Sequence, residues 1–189
     1  MKLYFYYGAM GASKTANALM TRFNFEDKGK KVAMMKPSID TRDGANIIRS
    51  RAGLEAEATL IKPGEMVRDV LPYSPTYYDN IIVDECQFLT KAQVDELREI
   101  VDAGTMVMCY GLRADFRSEL FEGSKRLLEV ADTIREIVTM CQCGRKAIMN
   151  ARFVDGKVVY DGDQILIGAD EHYVAMCHRC YMRGVVRKP

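Results

Sequence analysis

The first two-thirds of the chain alternates short apolar runs, rich in β-branched and aromatic residues, with longer stretches of helical periodicity. This alternation is typical of a parallel sheet flanked by helices. It predicts five strands, at Leu3–Tyr7, Lys31–Met35, Asn80–Asp84, Thr105–Leu112 and Thr133–Thr139. It also predicts four helices, at Lys14–Glu26, Gly64–Leu71, Lys91–Ala103 and Ser124–Val130.

Two of these elements carry additional signals. Thr90 and Gln93 form a capping box before the third helix, and Gly104 stands where that helix should stop. The continuous apolar run Ile81-Ile82-Val83 precedes two acidic residues. A run of this kind indicates a buried central strand whose carboxyl end faces a site.

The pattern changes after Met140. Cysteines come in pairs, helical periodicity disappears, and Asp155-Gly156 predicts a tight turn between strands at Ile148–Val154 and Lys157–Tyr160. We therefore expect a domain boundary near Thr139, with an α/β domain over residues 1–139 and a small second domain over residues 140–189.

Composition narrows the class of protein. The 189 residues include 27 Lys and Arg against 26 Asp and Glu, a net charge of +1, which argues against a nucleic-acid partner. No apolar run is long enough to suggest a membrane partner, and the N-terminus lacks a cleavage site. We expect a cytoplasmic protein, in which the six cysteines are thiols or metal ligands rather than disulfides.

The segment from Gly8 to Thr15 reads Gly-Ala-Met-Gly-Ala-Ser-Lys-Thr and lies between a predicted strand and a predicted helix. This is the context of a P-loop, in which backbone N–H groups cradle phosphates. Lys14 would reach the β- and γ-phosphates of ATP, and the Thr15 hydroxyl would ligate Mg²⁺. Ser13 replaces the usual second glycine, where a positive φ would be costly. The alternative is an ordinary strand–turn–helix with an exposed Lys-Thr pair.

Asp84 and Glu85 follow the apolar strand in the manner of a Walker B motif. Asp84 could hold Mg²⁺, and Glu85 could take a proton from a nucleophile. Strand alternation would direct the two side chains to different sides. The alternative is a solvated acidic turn at a strand end.

Four cysteines form two close pairs, Cys141 with Cys143 and Cys177 with Cys180. Structural zinc is held by four such ligands, and a closed Cys₄ site has no open position for water. The alternative, buried reduced thiols, suits the lone Cys86 and Cys109 better.

Taken together, the motifs resemble the zinc-containing thymidine kinases of bacteria and animals. They run in order from end to end: Gly8-Ala9-Met10…Lys14-Thr15, Lys36-Pro37-Ser38-Ile39-Asp40-Thr41-Arg42, Asp84-Glu85-Cys86-Gln87-Phe88, Gly111-Leu112-Arg113-Ala114-Asp115-Phe116, both cysteine pairs, and Ile167-Gly168-Ala169-Asp170-Glu171-His172-Tyr173.

This resemblance implies a RecA-like P-loop sheet, followed by a zinc ribbon with a lasso loop at about Leu166–Tyr173 that closes over the nucleoside. It implies transfer of the γ-phosphate of ATP to the 5′-hydroxyl of thymidine, which serves deoxynucleoside salvage for DNA synthesis. It further implies a homotetramer or dimer, inhibited by thymidine triphosphate.

The resemblance also assigns residues. The catalytic residues would be Glu85 as general base, Lys14 and Arg42, with Asp40 in the same turn as Arg42. Contacts to ATP are implied for Gly8, Ala9, Met10, Gly11, Ala12, Ser13, Lys14, Thr15, Asp84, Glu85, Cys86 and Gln87. Contacts to the nucleoside are implied for Met10, Phe88, Leu112, Phe116, Ile167, Gly168 and Tyr173. Ser13 should alter the loop geometry without abolishing ATP binding.

Several alternatives stay open on sequence grounds. The P-loop could belong to an ATPase or switch protein in which Glu85 orients water, or to a kinase acting on another small molecule. The zinc ribbon could instead grip nucleic acid. The apolar residues assigned to the nucleoside pocket would also suit an ordinary core. Arg49 and Arg51 fall in a predicted loop, Gly44–Gly53, and receive no role.

Overall fold

A computed structural model describes residues 1–41, 44, 46–164 and 172–184 of the chain. The strands are β1 (Leu3–Tyr7), β2 (Val32–Pro37), β3 (Ile47–Arg49), β4 (Glu55–Glu57), β5 (Thr59–Ile61), β6 (Asn80–Val83), β7 (Met106–Gly111), β8 (Thr133–Glu136), β9 (Thr139–Met140), β10 (Lys146–Ala147), β11 (Met149–Val154), β12 (Lys157–Val159) and β13 (Tyr173–Met176). The helices are α1 (Lys14–Glu26), α2 (Val67–Val70), α3 (Lys91–Asp102), α4 (Glu122–Val130) and α5 (His178–Met182).

The main sheet has six strands in the order β5-β2-β6-β7-β1-β8, and every neighbouring pair is parallel. Apolar side chains cover both of its faces. One face packs on α3 through a cluster that contains Phe5, Val83 and Leu97. The other packs on α1 through Leu19 and Ile82. The predicted parallel sheet with flanking helices is therefore confirmed.

The five predicted strands are all present, and α1 has the predicted bounds. Helix α2 is shorter than Gly64–Leu71 because Gly64 adopts φ +83° in a turn that precedes it. Strands β3, β4 and β5, which have only three residues each, are not among the predicted elements. Such short strands leave little alternation to detect.

The capping box at the start of α3 is confirmed. The Thr90 hydroxyl accepts a hydrogen bond from the Gln93 backbone N–H at 3.3 Å, and the Gln93 side-chain oxygen accepts one from the Thr90 N–H at 3.0 Å. The Gln93 amide also donates to the carbonyls of Lys62 and Glu65, which ties the preceding turn to this helix.

The C-terminal region has its own small sheets. Strands β12, β11 and β13 form an antiparallel sheet, β9 pairs with β10, and the predicted Asp155-Gly156 hairpin joins β11 to β12. This region also contains helix α5, although the sequence after Met140 shows no helical periodicity. This helix has five residues and buries only Tyr181, too little to produce a periodic pattern. The division into two domains near Thr139 stays a prediction.

Among the described residues, no helix combines the length and the apolar character that a membrane span requires.

Ser13 adopts a left-handed backbone conformation, φ +56° and ψ +30°, at the start of α1. A positive φ is costly for a residue with a Cβ, and the chain adopts it here nonetheless. Its side chain makes no capping hydrogen bond. The hydroxyl therefore does not offset the free-energy cost of this backbone conformation, which is about 1 kcal/mol.

We predict that Ser13→Gly raises the free energy of unfolding by up to about 1 kcal/mol, because glycine has no Cβ penalty at positive φ. Chemical denaturation monitored by circular dichroism measures the change. Ser13→Ala is the matched control, since it removes the hydroxyl and keeps the Cβ, and it should give no stabilisation. A glycine variant less stable than the alanine variant would contradict the assignment of strain.

Candidate active site

A cavity of ≈ 520 Å³ opens at the carboxyl edge of the main sheet. Four strands end at it. Met10 follows β1, Asp40 follows β2, Asp84 and Glu85 follow β6, and Leu112 follows β7; all five residues line the cavity. Because parallel strands end on the same edge, residues far apart in sequence meet there.

The P-loop forms one wall of this cavity. Lys14 is only 9% exposed, and its ammonium donates a hydrogen bond to the Ala9 carbonyl at 3.0 Å. The loop is closed by a hydrogen bond from the Ala12 N–H to the same carbonyl, at 3.2 Å. Gly11 has φ +72°, so the turn uses left-handed residues at two places, here and at Ser13.

Asp84 lies next to the P-loop and is 3% exposed. Burial and the neighbouring charge of Glu85 raise the pKa of Asp84 to about 7, although a hydrogen bond from the Thr15 hydroxyl and the charge of Lys14 act to lower it. A buried carboxylate that touches a hydroxyl forms an oxygen pair of the kind that Mg²⁺ prefers. A cation there would offset the charge that burial disfavours.

Glu85 is half-buried and lines the same cavity. Strand β6 ends at Val83, so strand alternation does not set the directions of Asp84 and Glu85, contrary to expectation. Instead Glu85 has φ +51° and turns the chain into a short 3-10 helix, Cys86–Phe88. Its carboxylate accepts a hydrogen bond from the Gln87 side-chain amide at 2.5 Å.

One wall of the cavity is absent from the predicted site residues. It consists of residues 48–53, which include the end of β3 and most of the turn before β4. Part of the predicted loop is therefore a hairpin. Arg49 pairs with Glu55 across this hairpin at 3.0 Å, and Arg51 is exposed. The fully buried Lys36 holds the start of β3 in place, because its ammonium donates hydrogen bonds to the carbonyls of Gly44 and Ile47.

Some of the residues assigned to ATP do not line the cavity. These are Gly8, Ala9, Ala12, Cys86 and Gln87. All five are buried, and Cys86 is 0% exposed. Their assignment as ATP contacts stays a prediction. Arg42 lies outside the described residues.

The residues assigned to the nucleoside divide into three groups. Met10 and Leu112 line the cavity. Phe88, Phe116 and Tyr173 do not line it: Phe88 packs edge-on against the Phe121 ring, and Phe116 is 1% exposed. Ile167 and Gly168 lie outside the described residues, as does most of the predicted lasso, Leu166–Tyr173.

Arg152, which the sequence analysis did not single out, joins two of these residues. Its guanidinium lies 3.8 Å from the centre of the Phe116 ring and donates to the Tyr173 hydroxyl at 2.7 Å. It is 8% exposed and also donates to the Asp163 carbonyl. An isolated arginine in a strand carries no motif, so its position could not be predicted from the sequence.

Asn150 connects strand β11 to the rim of the cavity. Its side-chain oxygen accepts a hydrogen bond from the Met10 N–H at 2.8 Å, and its amide donates to the Ala114 carbonyl at 2.8 Å. The C-terminal region therefore supports the backbone at the start of the P-loop.

The four paired cysteines come together. The sulfurs of Cys141, Cys143, Cys177 and Cys180 all lie within 4.8 Å of one another, and those of Cys143 and Cys177 are 3.6 Å apart. Tetrahedral zinc with Zn–S bonds of about 2.3 Å separates its sulfurs by about 3.8 Å, so this cluster is consistent with a zinc site.

The thiols of this cluster differ in acidity. The Cys180 backbone N–H lowers the pKa of Cys177 to about 7, whereas hydrogen bonds with Cys143 and Cys177 raise the pKa of Cys180 to about 12. Four thiolates at this spacing repel one another unless a cation lies among them, which is the environment that zinc provides.

Comparisons with known proteins agree with this geometry. Residues 1–181 match the family model for thymidine kinase. The chain is 42% identical over 190 residues to a thymidine kinase of Photobacterium profundum, covering 98% of this chain and 99% of the relative. It is 45% identical to one from Aliivibrio fischeri (97% and 98% covered) and 43% identical to one from Lactococcus lactis (96% and 97% covered).

Among solved structures, the chain is similar to the Pif1 helicase of Candida albicans, with a TM-score of 0.43 and 13% identity over 72% of this chain and 36% of that one. It is also similar to the Legionella pneumophila ATPase DotB, with a TM-score of 0.38 and 18% identity over 77% and 43%. The match to the family model and the identity to its members, each over nearly the whole chain, establish that this chain belongs to the thymidine kinase family.

Proposed function

We propose that the chain is an ATP:thymidine 5′-phosphotransferase, which transfers the γ-phosphate of ATP to the 5′-hydroxyl of thymidine and yields thymidine monophosphate. One observation supports the proposal independently of the family relationship. Lys14 of the P-loop and the half-buried Glu85 line the same cavity, with the hydrogen-bonded Thr15 and Asp84 beside them. Phosphoryl transfer to an alcohol needs little more than positioning, charge neutralisation and a proton acceptor.

In this proposal the triphosphate of ATP lies along the P-loop. The backbone N–H groups and the amino end of α1 attract the phosphate oxygens, and Lys14 neutralises charge on the transferring group. Thr15 and Asp84 would hold Mg²⁺, which would neutralise charge on the β- and γ-phosphate oxygens. Arg42, predicted to steady the transferring phosphate, stays a prediction.

Glu85 is the proposed general base. The thymidine 5′-hydroxyl transfers its proton to the Glu85 carboxylate as its oxygen bonds to the γ-phosphorus, and the bond from that phosphorus to the bridging oxygen of ADP breaks. The position of Glu85 on the cavity wall supports this role, since a base must reach the hydroxyl that approaches the phosphate.

The thymidine would lie against Met10 and Leu112, the two assigned residues on the cavity wall. Contacts with Phe88, Phe116, Ile167, Gly168 and Tyr173 stay predictions. The same holds for assembly as a homotetramer or dimer, inhibition by thymidine triphosphate, and a cytoplasmic location.

The cysteine cluster is proposed to hold structural zinc. Cys141 and Cys177 are buried and belong to the core of the C-terminal region, together with Met149 and Tyr181. A metal that joins the two turns would stabilise a region with little apolar core of its own. Four thiolate ligands would leave no position for a reacting water.

We predict that formation of ADP from Mg-ATP requires thymidine and depends on Glu85. Glu85→Gln should lower kcat by about 10²- to 10⁴-fold, because it removes the general base, while the KM for ATP changes by less than about twofold. A coupled ADP assay over a panel of nucleosides, with wild type and variant, measures both effects.

Glu99→Gln is the matched control, because Glu99 is an exposed glutamate on α3 whose carboxylate pairs with Arg68. Its kcat should equal that of wild type. Equal ADP formation without any nucleoside would indicate an ATPase, and full turnover with a different acceptor would indicate another small-molecule kinase. A fully active Glu85→Gln variant would remove Glu85 from its role.

We predict about one zinc per chain in purified protein, and a lower Tm after chelation, because the metal joins two turns of the C-terminal region. Cys143→Ser, at an exposed position, should reduce the zinc content. Cys109→Ala should leave it unchanged, since Cys109 lies in the main sheet. Folded protein in which the four thiols of the cluster are free, and in which mass spectrometry finds no metal, would rule out the site.

A further inference from the structure

The side chain of Gln87 bridges two groups at the site. Its amide nitrogen donates a hydrogen bond to the Glu85 carboxylate at 2.5 Å, and its oxygen accepts one from the Leu112 backbone N–H at 3.0 Å. Gln87 is 2% exposed and does not line the cavity, whereas Glu85 and Leu112 both line it. The bridge therefore lies behind the cavity wall.

The hydrogen-bond partners fix the orientation of the amide. The Leu112 N–H can only donate, so it must face the amide oxygen of Gln87. The amide NH₂ group is then directed to Glu85, where an ionised carboxylate can only accept. Both contacts are satisfied in one orientation, and a flip of the amide would lose both of them. A buried amide so constrained has little freedom to move.

Two glycines make room for this arrangement. A Cβ on Gly111 would lie 2.5 Å from the Gln87 side-chain oxygen and 2.7 Å from the Cys86 sulfur. A Cβ on Gly123 would lie 2.6 Å from the Cys86 carbonyl oxygen and 2.7 Å from that of Leu89. Neither glycine has a positive φ, so what these positions require is space. The short helix Cys86–Phe88 is thus packed closely against β7 and α4.

Glu85 needs such support because its backbone is strained. It has φ +51° and precedes a helix of only three residues, with no side-chain capping bond of its own. A glutamate side chain has several rotatable bonds, and holding it in one rotamer costs conformational entropy. A hydrogen bond to a charged group is stronger than one between neutral groups, and the bond from Gln87 can offset this entropic cost.

We propose that Gln87 is a positioning residue, which holds the Glu85 carboxylate in place relative to the Leu112 backbone. This inference rests on the proposed role of Glu85 as general base. Gln87 exchanges no proton: the 5′-hydroxyl proton passes to Glu85. Leu112 follows β7 and lines the cavity, where the thymidine is proposed to lie against it. The same stretch of backbone would therefore position both the thymidine and, through Gln87, the Glu85 carboxylate. In this account Gln87 acts through Glu85 and does not contact ATP.

The test is a double-mutant cycle. Gln87→Met keeps the approximate shape of the side chain and removes both hydrogen bonds. Because misplacement of a catalytic group by about 1 Å can cost about 10²-fold, we expect kcat to fall ten- to a hundred-fold, with the KM for ATP changed by less than about twofold. In the Glu85→Gln background the same change should alter kcat by less than about twofold. Radiolabelled thymidine makes the slow background measurable.

Two further variants separate positioning from loss of structure. Gln93→Met removes another buried amide, 3% exposed, from the capping box of α3; it should lower the Tm and leave kcat unchanged. Gln87→Glu keeps an acceptor for the Leu112 N–H and replaces the donor by a second carboxylate. It should lower kcat as Gln87→Met does, and it serves as the test if the methionine variant does not fold.

The outcomes are distinguishable. An equal loss of kcat in both backgrounds would overturn the inference, because the effect would not pass through Glu85. A raised KM for ATP with unchanged kcat would also overturn it and would restore Gln87 as an ATP contact. Full activity of Glu85→Gln alone would instead overturn the proposed base, whatever the result at position 87.

Discussion

The hydrogen bond between the Thr15 hydroxyl and the Asp84 carboxylate is the interaction on which the site depends, because it links the P-loop segment to the acidic pair. The P-loop follows β1 and the acidic pair follows β6, and β7 lies between these strands in the sheet. Leu112 at the end of β7 is therefore flanked by a phosphate-binding loop on one side and two carboxylates on the other. These groups lie at one edge because the strands of a parallel sheet all end on the same side.

Strain is concentrated around this edge. Of the four described non-glycine residues with positive φ, two line the cavity, Ser13 in the P-loop and Glu85 after β6. Such conformations persist only where the surroundings determine them. For Glu85 the surroundings include the Gln87 bridge and the close packing of the 3-10 helix on β7 and α4. For Ser13 they include the start of α1, since its carbonyl accepts from the Asn17 N–H.

Local signals explain what could be predicted from the sequence. The bounds of α1, the capping box at Thr90 and the cysteine pairs all follow from residue types at fixed spacings. The placement of Lys14 and Glu85 on one cavity follows from the predicted parallel sheet, whose strands end at one edge. The position of residues 48–53 on the cavity wall, the guanidinium of Arg152 and the Asn150 bridge depend on contacts between distant segments. Single polar residues in short strands have no periodicity, so only the folded chain places them.

The most direct test of this account is a crystal structure with thymidine, Mg²⁺ and a non-hydrolysable ATP analogue bound together. The account predicts a Glu85 carboxylate oxygen at hydrogen-bonding distance, about 2.6–3.2 Å, from the 5′-hydroxyl, with the γ-phosphate beside Lys14. A complex with both ligands ordered and that carboxylate directed away from the hydroxyl, beyond the reach of one bridging water, would contradict it.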